Sequence, residues 1–257
     1  MITFTEAQLL AWLTPLIWPF LRALALFQAM PVLGARTVPM RVRIGLAAFL
    51  AIAAQGSLPA LAPEVAAIPL DAPQAVLLVV QQVVIGLSLG FAVRVVFAAV
   101  EFAGEIIGLQ MGLNFAGFFD PLSANTATAT SRLFGTMVSW LFIVMNGHLL
   151  VIAALVQSFT AFPVGPEPFA FLHQMQPQRW GAEIFSTGLW IALPLVTMLL
   201  FINLVLGTIS RVAPQINIFA IGFPVTLGVG LLGLLMTLPL MQQPFTMALD
   251  RLLTHFR

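Results

Sequence analysis

Six apolar runs, near 8–30, 44–62, 75–100, 133–160, 184–210 and 215–241, divide this 257-residue chain. Each is close to the length that carries a helix across a hydrocarbon core, about 20 residues. Read as helices they make an all-α, multi-helix, membrane-associated chain. Composition agrees: 60% of residues are hydrophobic and only 7% charged, against about a quarter charged in soluble domains. The net charge of +1 gives no reason to expect nucleic acid, and the absence of cysteine removes disulfides, thiolate metal sites and a cysteine nucleophile. The N-terminus carries no positive charge before its apolar run, so a cleaved signal peptide is not expected.

The runs are not uniform. The first contains Pro15, Pro19 and Arg22, which predicts a kink and one polar contact. The second is short and interrupted by Gln55, Gly56 and Pro59. The fourth has Asn146, Gly147 and His148 at its midpoint, and the last two form an antiparallel hairpin about Arg211, Pro214 and Gln215. A seam is expected near 165–183, where Pro166, Pro168 and Pro177 cluster. Arg36, Arg41, Arg43, Arg132 and Arg211 favour one membrane side over that of Arg179, Arg251 and Arg257, a bias too small to orient the chain.

The third run continues into 101–121, EFAGEIIGLQMGLNFAGFFDP, and here the polar residues concentrate. A helix from Ala75 to Gly108 would be about 50 Å long at 1.5 Å per residue, more than a bilayer core. Glu101 and Glu105, four residues apart, share a helix face, and Arg94 lies on it as well. Gly90, Ala98, Gly108 and Gly112 fall within about 40° of the same line. Ionisable groups in a membrane are often functional, so a proton or ion relay is one reading. A structural ion pair or a packing or subunit contact is favoured, because helical spacing fixes a face and not a pathway. Asn114, Gly117, Asp120 and Pro121 then break the helix among Phe115, Phe118 and Phe119. Irregular backbone at membrane depth lines a cavity or is buried in protein. An apolar constriction excluding water from a pore therefore stands ahead of ordinary core packing.

Other candidates carry less. His148, His173 and His255 lack metal-ligand spacing, and no nucleophile and base stand at a sensible spacing, so neither metal nor enzyme chemistry is expected. Gly228, Gly230 and Gly233 match the letters of a dinucleotide fingerprint, but no strand precedes them. These glycines, with Gly86, Gly90, Gly104, Gly108 and Gly112, read instead as surfaces of close helix approach.

The run GEIIGLQMGLNFAGFFDP at 104–121 resembles the FliR family, the R subunit of the flagellar type III protein export gate. So do NGHLLVIAALVQSFTAFPVG at 146–165 and INLVLGTISRVAPQINIFAIGFPVTLGVG at 202–230. Pro31 to Gly34 followed by Pro39-x-Arg41-x-Arg43 is similar too, and the likeness extends from Phe4 to Leu253. The related T subunit of injectisomes is the near neighbour. The resemblance implies a P-subunit-like helical region over 1–183, with a plug loop near 110–128, and a Q-subunit-like hairpin over 184–257. It implies a hetero-oligomer with P and Q subunits, cooperation with a B subunit, and passage of unfolded flagellar proteins at the inner membrane, in the flagellar basal body. Met111, Phe115, Phe118 and Phe119 match the apolar part of the plug. Much of such a gate lies above the membrane plane, so six spans read from hydropathy overstate the crossings. No cofactor is implied. The alternative from the residues alone is a proton-coupled small-solute transporter using Arg94, Glu101 and Glu105.

Overall fold

The computed structural model of the chain describes residues 6–69, 72–113, 128–165, 169, 171, 179–215 and 218–256. Among them there is no strand. The order is α1 (Glu6–Ala29), α2 (Met40–Ala54), α3 (Pro63–Ala66), α4 (Pro73–Gln110), α5 (Ala129–Val144), α6 (Gly147–Ala161), α7 (Trp180–Val212), α8 (Ile218–Thr237) and α9 (Gln242–Leu253). Short 3₁₀ turns follow α2, α8 and α9. Pro15 and Pro19 lie inside α1, Pro194 inside α7 and Pro224 inside α8.

Two of these helices, α4 and α7, are individually long and apolar enough to cross a membrane; the number rises to four if each bent pair is one span. By length and composition, the described residues thus supply fewer spans than the six apolar runs. At 1.5 Å per residue α4 is about 57 Å long and α7 about 50 Å, both beyond a core of about 30 Å. The fourth apolar run is two helices, not one. Asn146 adopts φ 55°, ψ 29° between them, a left-handed conformation that asparagine tolerates better than most residues. The C-terminal 242–253 stretch is a further, amphipathic helix that hydropathy passed over: its Phe245, Leu249, Leu252 and Leu253 are buried while Gln242, Gln243, Asp250 and Arg251 are exposed.

Two compact units organise the chain, each from separate stretches: 1–94, 146–180 and 249–257 in the first, 95–145 and 181–248 in the second. In the first, α1 packs along α2 and α4 comes close to α1 over two glycines. A Cβ at Gly90 would lie 2.5 Å from Ala29 Cβ and 2.8 Å from Leu26 O, so only hydrogen fits there. Trp18, Val65 and Leu78 form a core cluster. Phe91 stacks on Trp180 at 5.8 Å and Trp180 meets Phe256 at 6.3 Å, tying the chain's last turn to the unit.

Polar groups at the centre of this unit form a connected network. Arg22 is fully buried. It donates through Nε to Gln82 Oε1, through Nη1 to Ser158 Oγ and through Nη2 to Phe162 O, all within 2.9 Å, with Phe159 stacked 3.7 Å beneath. Gln82 donates to Gln81, whose Oε1 also accepts from Gly165 N. The single polar contact expected of Arg22 is thus a hub of four. Arg43 is buried too, donating to Gln28 Oε1 and to the carbonyls of Ala35 and Val38, so this arginine of the orienting set is committed to a loop.

In the second unit, Phe97 makes edge contacts with Phe142 and Phe245 at 5.6 and 6.2 Å. α7 crosses α4 at Gly188, where a Cβ would lie 2.7 Å from both Ala99 O and Phe102 Cδ1. Gly233 of α8 sits against Leu195 and Met198 of α7 in the same manner. Outside these contacts α7 exposes Phe185, Trp190, Phe201, Leu204 and Val212.

Candidate functional site at the end of the long helix

The site is built where α4 stops. Its last turns carry Glu101, Gly104, Glu105 and Gly108, and the burial pattern sorts them. Leu87, Phe91, Arg94, Glu101, Glu105 and Leu109 are exposed, at helical spacing, while Gly86, Gly90, Gly104 and Gly108 are buried. The charged and the small residues, expected on one stripe, therefore lie on adjacent ones. Arg94 belongs to the first unit and both glutamates to the second.

The glycine stripe receives α5. A Cβ at Gly104 would stand 2.9 to 3.0 Å from three carbons of Phe134, and one at Gly108 would collide with Thr130 Oγ1. Ser131 Oγ donates to Glu101 O at 3.1 Å across the same contact. α5 starts in good order: Thr128 Oγ1 accepts from Ser131 N at 3.1 Å, an N-cap that satisfies one of the helix's free donors. Alongside, Glu101, Arg132, Gly135, Ser139, Trp140 and Ile143 border an open groove of about 580 Å³. A Cβ at Gly135 would lie 3.0 Å from Glu101 Oε1, so the carboxylate rests over that glycine.

Gly112 does not continue the stripe. It lies beyond the helix with φ 77°, Leu113 N donates to Gly108 O at 3.0 Å and Gly112 N to Leu109 O at 3.1 Å. That pair of bonds is a Schellman termination, which needs a left-handed residue and hence glycine. Met111, one residue earlier, is fully buried, its side chain against Gly230 of α8. Of the glycine triplet in α8, Gly230 and Gly233 make close approaches and Gly228 has nothing within 4 Å.

Phe115, Phe118 and Phe119, with Asn114, Gly117, Asp120 and Pro121, lie outside the described residues, as does His173. His148 is half-buried at the start of α6, and His255 Nδ1 is 3.2 Å from Arg251 O. Among the described residues no group of three or more His, Cys, Asp or Glu side chains is placed to hold a metal. The Arg22 network and the Met111–Gly230 contact were missed from sequence. The signals were there, as Arg22, Gln81 and Gln82 inside apolar runs and the clustered glycines of α8.

Comparison with known proteins finds likeness over nearly the whole chain. The family model described as bacterial export proteins, family 1, matches residues 13–252. The flagellar biosynthetic protein FliR of Escherichia coli (strain K12) is 46% identical over 231 residues, 90% of this chain and 87% of that protein. The FliR proteins of Pectobacterium carotovorum subsp. carotovorum and Bacillus subtilis (strain 168) are 40% and 30% identical, over 93% and 84% of this chain and 90% and 83% of theirs. On this match the chain belongs to the bacterial export proteins of family 1, together with the FliR proteins.

Proposed function

We propose that this chain is a membrane component of a flagellar protein export apparatus. It acts without an enzymatic step, forming with P and Q subunits the path by which unfolded flagellar proteins cross the inner membrane at the basal body. The observation that carries this reading is the match to the bacterial export proteins of family 1 over 13–252, together with 46% identity to a FliR protein over 231 residues. A supporting one is the apolar surface of α7, too long for the bilayer alone and suited to burial against other subunits. In the same reading 1–183 corresponds to a P-like part and 184–257 to a Q-like hairpin, and a B subunit joins the assembly.

Met111, Phe115, Phe118 and Phe119 then serve as the apolar part of a plug near 110–128. Such side chains exclude water and ions without binding one substrate sequence, and an extended polypeptide displaces them. Arg94, Glu101 and Glu105 serve as subunit contacts, with the groove beside Glu101 as a place for a partner's side chains. The small-solute transporter is not favoured, since the relatives are flagellar biosynthetic proteins. The test is conductance of the assembled complex in membranes. Shortening 115–119 is expected to raise the resting ion leak, and an unchanged leak would remove the plug from the proposal.

A further inference from the structure

Met111 and Gly230 meet as a peg and a notch. A Cβ added at Gly230 would stand 2.5 Å from Met111 Cγ and 2.7 Å from both Cε and Sδ, so the side chain occupies the space that any other residue at 230 would need. The backbone around the peg is equally held. Met111 N donates to Ile107 O at 3.0 Å, and the two bonds of the Schellman turn close over it from Gly112 and Leu113. Everything up to Leu113 is thus fixed, by packing on one side and hydrogen bonds on the other.

We infer that Met111 and Gly230 form a latch that stays closed while protein passes, which moves Met111 from the seal to the frame. This rests on the export reading above and refines it. Withdrawing the methionine would expose a fully buried side chain and leave an unfilled notch, both unfavourable. Gly112, already at φ 77°, lets the chain change direction just after the peg without disturbing it. Gly230, over a hundred residues away in sequence, becomes a positioning residue for the path.

The chain has no cysteine, so Met111→Cys with Gly230→Cys gives the only cysteine pair within it. Adding one carbon–carbon bond of about 1.5 Å to the 2.5 Å contact puts the two Cβ atoms at most about 4 Å apart, within disulfide range. In the assembled complex in membranes, oxidation is expected to cross-link the pair while export of a flagellar substrate continues at the rate of the reduced complex. Failure to cross-link, or export that stops on oxidation and returns on reduction, overturns the latch. If the double-cysteine chain fails to assemble, Gly230→Ala replaces it. That variant pushes the flexible methionine out and is expected to raise the resting leak about tenfold, equivalent to about 1.4 kcal/mol. Gly228→Ala, with open space around it, should leave the leak unchanged. Equal leak from both variants, or from neither, refutes the latch. Shortening 115–119 tests the plug separately, so the two ideas fail on different measurements.

Discussion

Arg22 Nε donates to Gln82 Oε1 at 2.8 Å, joining α1 to α4 through two side chains that hydropathy counts against both helices. The acceptors around this guanidinium are an amide, a hydroxyl and a carbonyl, with an aromatic face below. Replacing it by an apolar side chain would strand Gln82 and the Phe162 carbonyl, since Ser158 keeps its own bond to Leu155 O. Each buried acceptor left without a donor costs about 1–3 kcal/mol. Arg22→Met is therefore expected to destabilise the protein by about 3 kcal/mol, read as a lower Tm of the purified complex in detergent. Arg22→Lys should recover little, because one ammonium cannot span three acceptors held by a planar fork. A Tm unaffected by Arg22→Met would mean the network is not structural.

The contact of α4 with α5 makes a second prediction. A methyl at Gly104 meets the Phe134 ring at 2.9 to 3.0 Å, and overpacking of this kind costs about 1–3 kcal/mol. Gly104→Ala should therefore destabilise, and combining it with Phe134→Leu should cost less than the sum of the two single changes. Gly228→Ala is the internal comparison. With nothing within 4 Å, it should gain up to about 1 kcal/mol of helix propensity. Unfolding midpoints of the four variants decide the matter, and simple additivity of the first pair would mean that the rings have room to move.

Gly112 is expected to be intolerant for a different reason. Its constraint is backbone conformation, φ 77°, and an L-residue placed there pays roughly 1–2 kcal/mol. Gly112→Asn should be milder than Gly112→Ala, because asparagine is the usual second choice at a left-handed helix end. Equal effects of the two would point to lost space in place of strain.

How much of this was legible beforehand follows from what periodicity records. A 38-residue α4 reaching Gln110 was foreseeable from unbroken apolar residues on every side, and so were long helices, α7 and α8, on either side of Arg211 and Pro214. The break at Asn146 was visible as polar residues at a midpoint, but its left-handed geometry was not, since Asn-Gly also occurs inside helices that merely bend. Gly112 was misjudged because counting at 100° per residue assumes the helix goes on. The glycine that ends a helix and the glycine that packs one look alike in sequence. α9 was lost for lack of overall hydropathy, its apolar residues being spaced for one face. Arg22 and Gly230 needed the third dimension, because their partners lie up to 140 residues away.

The groove beside Glu101 separates the two uses of that carboxylate. Its floor is Gly135, where a Cβ would come 3.0 Å from Glu101 Oε1 and 3.4 Å from its Cγ. Gly135→Leu would obstruct the groove at its floor and displace the end of the Glu101 side chain. Glu101→Gln keeps the shape and removes the charge. If the groove receives a partner's side chains, Gly135→Leu should abolish co-purification with the other export components while leaving the chain's own Tm within a few degrees, roughly what a change below 1 kcal/mol produces. Glu101→Gln should then weaken assembly only to the extent that the contact is ionic, and more so at low salt, where exposed charges are least screened. Intact assembly in both variants would remove Glu101 from the subunit contacts. Loss of proton-driven solute uptake by the isolated chain on Glu101→Gln would bring back the transporter.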